Sequence, residues 1–186
     1  MIALCLGHSR QIHGRTEGGA YSIDGITEHT YWSEVAPMIS DLLQAAGQDC
    51  KVIDHYQGGS YFGSMQWLAG QMRQINATCA VELHFNAAHP TANGHEWLHW
   101  HSSKRGAELA ASLSSAFTDK FIGQIRRRAI LPIDSTGRGA GYLRTLPPPC
   151  VICEPFFGSN ESDWKIATEN KEGIASAIAE GILDWV

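Results

Sequence analysis

Segments with the hydrophobic pattern of strands alternate with segments that have the pattern of helices along the whole chain. After Thr27, apolar residues recur every three or four positions until Gly47, which predicts a helix between these two residues. Strands are predicted at 1–7, 51–54, 78–85, 96–101, 129–133, 142–144 and 150–154. This alternation predicts an α/β fold with a mostly parallel twisted sheet of about five to six strands and helices on both faces.

Two of the predicted strands are less regular than the others. Polar and apolar residues alternate in 96–101, which is typical of a strand with one exposed face, and 142–144 is predicted as a short edge strand. The chain has 186 residues, of which 44% are apolar. This length suits a single domain spanning 1–186 and leaves no room for a second domain of ordinary size.

The charge distribution gives no support for a nucleic-acid partner. The net charge is −5, and the only run of like charge, Arg126 to Arg128, is expected in a solvated loop. No apolar stretch approaches the ~20 residues that span a membrane. The opening segment 1–7 lacks the basic start and long apolar stretch of a signal peptide, so we predict a core strand there and a cytoplasmic location for the chain before any release.

The five cysteines are predicted to be structural. Cys150 and Cys153 have the CxxC spacing of some metal and redox motifs, but they lie within one β-branched strand and no second CxxC accompanies them. Cys5, Cys50 and Cys79 also fall in or beside apolar strands, which is typical of buried reduced thiols.

Three residues with catalytic or ligand chemistry lie at the carboxyl ends of predicted strands: His8, His84 and Glu154. Ligands bind beyond the carboxyl ends of parallel strands, so these side chains are expected in one crevice. Glu28 lies in the first turn of the first helix. Each has an ordinary alternative: His8 as a loop residue, Glu28 as an acid that suits the helix dipole, and Glu154 as a structural acid paired with Arg144.

These residue types match the chemistry of a catalytic zinc site. Such a site commonly has three protein ligands, including two histidines and one carboxylate, and keeps a fourth position open for water. His8, Glu28 and His84 would supply the ligands, and Glu154, which ends an apolar run, would be a desolvated carboxylate suited to proton transfer. Strand alternation places Glu82 on the face of His84, where it would accept the imidazole N–H that does not face the metal. The alternative for this pair is a partly exposed position on an edge strand.

Four further histidines crowd one stretch of the chain: His89, His95, His99 and His101. Their spacing resembles a metal-binding tract, but we expect surface or substrate-groove residues rather than a second metal site. Nearby tryptophans at 97 and 100 would offer apolar faces to a sugar or a peptide.

Four short motifs occur in a fixed order over nearly the whole chain: Gly7-His8, Glu28 at the start of the first helix, Leu83-His84-Phe85-Asn86, and Val151-Ile152-Cys153-Glu154. In this order and spacing the chain resembles the zinc-dependent N-acetylmuramoyl-L-alanine amidases of the Amidase_3 type. The resemblance implies that His8, Glu28 and His84 bind one Zn²⁺ ion and that Glu154 is the catalytic acid/base.

The same resemblance suggests substrate-side and supporting residues. Arg73 and Asn76 match a family arginine and asparagine that precede the second histidine strand, and Asn86 matches the asparagine after that histidine. Arg144 resembles an arginine that contacts substrate or orients the catalytic glutamate. Glu82 departs from the family, which commonly has serine at this position.

Two more departures concern the ligands. The family's usual Asp-Pro-Gly-His-Gly-Gly is here Leu4-Cys5-Leu6-Gly7-His8-Ser9-Arg10, so the histidine remains in a different loop. His29 follows Glu28 directly, which leaves open a shift of register between these two residues.

The implied reaction is hydrolysis of the amide between the lactyl group of N-acetylmuramic acid and L-Ala of the peptidoglycan stem peptide. One alternative is a zinc carboxypeptidase or endopeptidase that acts on peptidoglycan peptides. A non-catalytic wall-binding module on the same scaffold is another. We expect a monomeric catalytic domain, without a separate wall-binding domain, that acts in the periplasm or cell wall. A phage or prophage endolysin fits the absence of a recognisable signal peptide, and a bacterial remodelling enzyme is the alternative.

Overall fold

Strands and helices alternate in the computed structural model, which describes residues 1–186. The strands are β1 (Ile2–Leu6), β2 (Gln11–Ile12), β3 (Arg15–Thr16), β4 (Cys50–Ile53), β5 (Cys79–Leu83), β6 (His95–Trp100), β7 (Arg127–Ile133) and β8 (Cys150–Glu154). The helices are α1 (Glu28–Ala45), α2 (Tyr61–Gln74), α3 (Lys104–Lys120), α4 (Ala140–Thr145), α5 (Glu161–Glu169) and α6 (Lys171–Leu183).

Six strands form one sheet in the order β4-β1-β5-β8-β6-β7, and β2 and β3 form a separate short hairpin. All neighbours in the sheet are parallel except β6 and β8. The predicted mostly parallel sheet is therefore confirmed. Because β1, β5 and β8 are adjacent and parallel, their carboxyl ends meet at one edge. The reversed direction of β6 places Glu96, near its start, opposite Glu154 at the end of β8.

Helices cover both faces of this sheet, as predicted. On one face α1, α3, α5 and α6 enclose a core that contains Trp32, Leu113 and Ile178. On the other face α2 and α4 cover a smaller core with Leu68 and Tyr142. None of the helices combines the length and apolarity that a membrane crossing requires.

Three local predictions were wrong, because burial and strand pairing depend on neighbours that the local pattern does not show. β6 is not half exposed: it lies between β8 and β7, and residues 95–99 are all buried. Residues 142–144 belong to α4, since a helix lets the sequence neighbours Tyr142 and Leu143 both face the core, whereas a strand would point them apart. The arginine run does not form a loop, because β7 begins at Arg127.

The cysteines are all free, and four of the five are buried. Cys150 and Cys153 lie in opposite cores, because residues three apart in a strand point to opposite faces. Burial raises the pKa of the Cys150 thiol to about 12 and that of Cys153 well above its ordinary value. The structure therefore agrees with inert structural thiols rather than a redox or metal pair.

Candidate active site

A pocket of about 360 Å³ opens at the carboxyl ends of β1, β5 and β8. Six of the residues predicted from the sequence line it: His8, Glu28, Glu82, His84, Asn86 and Glu154. Others that line it were not predicted, among them Arg10, Glu17, Tyr56, Tyr61 and Arg138. The expectation that sequence-distant residues share one crevice is therefore met.

The two histidines are neighbours because their strands are neighbours. His8 follows β1 and His84 follows β5, and these strands pair in register from Ile2 to Leu6. His8 adopts a left-handed backbone conformation with φ 56°, which turns the chain sharply at the strand end. The imidazole centroids lie 4.9 Å apart with the rings nearly perpendicular.

Glu28 lies between the two imidazoles. Thr27 caps α1 by accepting a hydrogen bond from the backbone N–H of Thr30, so Glu28 is the first helical residue. Its Oε2 atom lies 3.1 Å from Nε2 of His8 and 3.0 Å from Nδ1 of His84. Burial alone raises the pKa of Glu28, but the hydrogen bonds with the two histidines outweigh it and lower the pKa to about 2.

A further carboxylate faces the second nitrogen of each imidazole. Oε2 of Glu82 lies 3.2 Å from Nε2 of His84, and Oε1 of Glu17 lies 3.8 Å from Nδ1 of His8. Tyr56 donates its hydroxyl hydrogen to Oε1 of Glu82 at 3.2 Å. Burial opposes protonation of His84, yet its hydrogen bonds with Glu28 and Glu82 raise its pKa well above the ordinary value. The Glu82 contact is the one expected from strand alternation, and the alternative of an exposed edge pair does not hold, since Glu82 is buried.

The donor atoms of His8, Glu28 and His84 suit a zinc ion. One ligand atom from each residue lies within 4.8 Å of the other two, and no other group of three or more His, Cys, Asp or Glu residues converges in this way. Zinc bonds of about 2.0–2.2 Å in tetrahedral geometry place ligand atoms roughly 3.4 Å apart, close to the two separations measured from Glu28. His29 does not compete with Glu28, because its Nε2 lies 2.8 Å from Oδ1 of Asp54, a residue outside the pocket.

Glu154 lines the same pocket at the end of β8, the strand adjacent to β5, and its carboxylate is buried. Arg138 donates to its Oε1 at 2.8 Å, and Oε2 has no hydrogen-bond partner. Burial raises the pKa of Glu154 to about 7, although His84 and Arg138 pull it down. A carboxyl group with this pKa accepts and releases protons near neutral pH.

Two residues beside Glu154 were missed in the sequence. Arg138 also donates to Oδ1 of Asn86 at 2.9 Å, and it pairs with Oε2 of Glu96 at 2.5 Å. Arg138 lies between β7 and α4 with no pattern in the surrounding sequence. The alternating pattern around Glu96 predicts a half-exposed strand, which gives no sign that this carboxylate is buried. A recognised antiparallel pairing of β6 with β8 would have revealed Glu96.

Three residues suggested by the family resemblance lie outside the pocket. Arg144 is exposed on α4 and does not pair with Glu154, because the helix carries it away from the position that Arg138 fills. Arg73 is exposed near the end of α2, and Asn76 follows that helix with φ 48°. Neither of them lines the pocket.

The histidine-rich stretch contributes neither a metal group nor a residue to the pocket. His95 and His99 are buried, contrary to the expectation of surface or groove residues. Trp97 is fully buried and donates its indole N–H to Nδ1 of His95, so it offers no face to a substrate. Burial lowers the pKa of His95 to about 4.

A crevice with two histidines, a carboxylate shared between them and a second, desolvated carboxylate is typical of metal-dependent hydrolases. The chain belongs to the Amidase_3 family of N-acetylmuramoyl-L-alanine amidases, whose sequence profile matches residues 2–184. No curated protein matches the sequence.

Solved structures share the fold at low sequence identity. The catalytic domain of the CD27L endolysin, which targets Clostridia difficile, is 24% identical with a TM-score of 0.81, over 98% of this chain and 96% of that one. The amidase AmiC2 of Nostoc punctiforme is 20% identical with a TM-score of 0.80, over 100% and 96% of the two chains. The catalytic domain of CwlV, an amidase from Bacillus (Paenibacillus) polymyxa var. colistinus, is 17% identical with a TM-score of 0.79, over 99% and 97%.

Proposed function

We propose that this chain is a zinc-dependent peptidoglycan amidase that cleaves the bond between the lactyl group of N-acetylmuramic acid and L-Ala of the stem peptide. The observation that carries the proposal is the convergence of His8, Glu28 and His84 in one pocket that the buried Glu154 also lines. Membership of the amidase family supplies the substrate class.

His8, Glu28 and His84 would hold one Zn²⁺ ion. When bound, the ion supplies a Lewis acid that polarises the substrate carbonyl and makes a nearby water molecule more acidic. The three residues are suited to this because Glu28 touches both imidazoles with one oxygen atom. Glu82 accepts the other N–H of the His84 ring, which fixes the ring orientation and increases the basicity of the ligand nitrogen.

Glu154 acts as the acid/base. Its Oε1 atom is held by Arg138, so Oε2 is the oxygen that accepts a proton from the attacking water. The same oxygen then delivers the proton to the alanine nitrogen as the amide bond breaks. The raised pKa of Glu154 suits both steps, because a group with a pKa of about 7 both accepts and donates protons near neutral pH.

Digestion of defined muropeptides with and without a chelator tests this proposal. Mass analysis of the products should show a free muramic acid carboxyl group and a peptide with L-Ala at its new amino terminus. The reaction should stop with chelator and resume with added Zn²⁺. A new amino group further along the stem would instead identify a peptidase, and binding to peptidoglycan without hydrolysis would identify a wall-binding module.

A further inference from the structure

The catalytic carboxylate faces a second buried carboxylate across the antiparallel pair of strands. Glu96 of β6 and Glu154 of β8 are register partners, and both are buried. Like charges directly opposite each other on neighbouring strands repel and destabilise the pair. An intervening cation is therefore needed if both groups are to be ionised.

Arg138 is that cation. Its Nη1 atom lies 2.8 Å from Oε1 of Glu154 and its Nη2 atom lies 2.5 Å from Oε2 of Glu96. Arg138 is not part of a strand or helix, and its side chain is 46% exposed. An arginine in this situation has many accessible rotamers, so its position depends on the groups that hold it.

Asn86 and Arg128 complete the arrangement around Glu96. The side-chain amide of Asn86 donates to Oε2 of Glu96 at 3.1 Å and accepts from Arg138 at 2.9 Å, which closes a ring of three side chains. Arg128 binds the other oxygen of Glu96 at 2.9 Å, and its guanidinium lies 4.9 Å from the ring centroid of Phe157. Charges thus alternate from the surface to the active site in the order Arg128, Glu96, Arg138, Glu154.

We propose that Glu96 is a positioning residue for the acid/base, and that Arg128 supports it from the surface. Glu96 fixes the guanidinium of Arg138, which in turn holds Oε1 of Glu154 and leaves Oε2 directed to the reacting water. Glu96 itself does not line the pocket and touches no reacting atom. This inference rests on the proposed function, because it assigns Glu96 a part in the same reaction.

Without Glu96, Arg138 keeps only Asn86 and Glu154 as partners, and its exposed guanidinium loses a charge-assisted anchor. The carboxylate of Glu154 then samples orientations that do not meet the water. Misplacement of a catalytic group by about 1 Å lowers rates by up to about 100-fold. We therefore expect Glu96→Gln to lower kcat about 10- to 100-fold, while KM and zinc content stay within about twofold of wild type.

A double-mutant cycle with Arg138→Met separates positioning from general support of the fold. If Glu96 acts through Arg138, the double variant has the kcat of Arg138→Met alone, because the link is already broken. Multiplied losses in the double variant would overturn the proposal. Arg127→Gln is the matched control. Arg127 is exposed, lies next to Arg128 on β7 and forms no ion pair within the chain. The kcat of this variant should equal that of wild type.

A further variant and a second readout keep the test decisive. If Glu96→Gln does not fold, Arg128→Gln takes its place, and a fall in kcat of at least twofold relative to Arg127→Gln is expected. Amide hydrogen exchange at 134–139 should increase in Glu96→Gln but not in Arg127→Gln, and unchanged exchange would refute the proposal. Hydrogen exchange does not depend on turnover. An inactive wild-type protein would therefore count against the proposed amidase function, while the exchange measurement would still test whether Glu96 holds Arg138.

Discussion

Substitution of Gly7 by alanine should weaken zinc binding, because Gly7 packs directly against the imidazole of His84. A Cβ atom at Gly7 would come within 2.7 Å of Nδ1 of His84 and closer still to Nε2 and Cε1. Nonbonded heavy atoms are at their best separation near 3.5 Å, so the ring or the end of β1 has to move by about 1 Å. Nδ1 is the atom of His84 that faces Glu28, so this movement displaces a proposed ligand.

The size of the effect follows from the strictness of zinc coordination. Zinc–nitrogen bonds stay within about 0.2 Å of 2.0–2.1 Å, which is much less than the displacement required. Loss of a contact that orients a histidine ligand typically weakens metal binding 10- to 100-fold. We expect the Kd of Gly7→Ala for Zn²⁺ to rise about 10- to 100-fold, which corresponds to a loss of about 1.4–2.7 kcal/mol in binding free energy.

Competition with a chromogenic chelator measures this Kd. Gly70→Ala is the control, because a Cβ atom at Gly70 in α2 meets no atom within 4 Å and alanine is favoured in helix interiors. Thermal unfolding checks that both variants are folded. If folded Gly7→Ala binds Zn²⁺ as tightly as wild type, the packing argument is wrong.

Three further predictions concern the acid/base and the core. Glu154→Gln should keep zinc but lose turnover of muropeptides, and retained activity would contradict the acid/base role. Burial raises the pKa of Glu154 to about 7, and a Zn²⁺ ion beside it would lower that value. Because the base must be ionised, log(kcat/KM) should decline as pH falls through the range of about 5 to 7. A profile that stays flat down to pH 4.5 would exclude Glu154 as the base. Trp97→Ala should lower the free energy of unfolding, measured by chemical denaturation, by about 3–5 kcal/mol, since Trp97 is fully buried. Phe62 is 70% exposed, so the control Phe62→Ala should change this free energy by less than about 0.5 kcal/mol.

The alternation of strands and helices was readable from the chain because each element carries its own hydrophobic period. β1, β5 and β8 are short apolar runs, and α1 begins at a threonine cap and ends near a glycine. Errors arose where burial depends on neighbours that local pattern does not reveal. His95 and His99 are polar, yet they lie in a strand that its two neighbouring strands and α3 bury. Residues 142–144 form a helix rather than a strand, because two adjacent apolar residues face one core.

The placement of His8, His84 and Glu154 was predictable from the same logic, since residues at the ends of adjacent parallel strands meet at one edge. Sequence order and family resemblance also led to Glu28, and alternation along β5 led to Glu82. Arg144 shows the limit of this reasoning. The sequence offered it as a substrate-side arginine or a partner of Glu154, whereas Arg138 is the arginine that pairs with Glu154 in the structure.

The sequence by itself determined the fold class and the residues that follow the strands, because hydrophobic periodicity and strand ends are local properties. Only the tertiary structure decided the direction of β6, and with it the pairing of Glu96 with Glu154 across the sheet. It also decided which arginine holds Glu154 and how far burial raises the pKa of that carboxyl group. These features depend on contacts between segments distant in the chain, so no local pattern in the sequence encodes them.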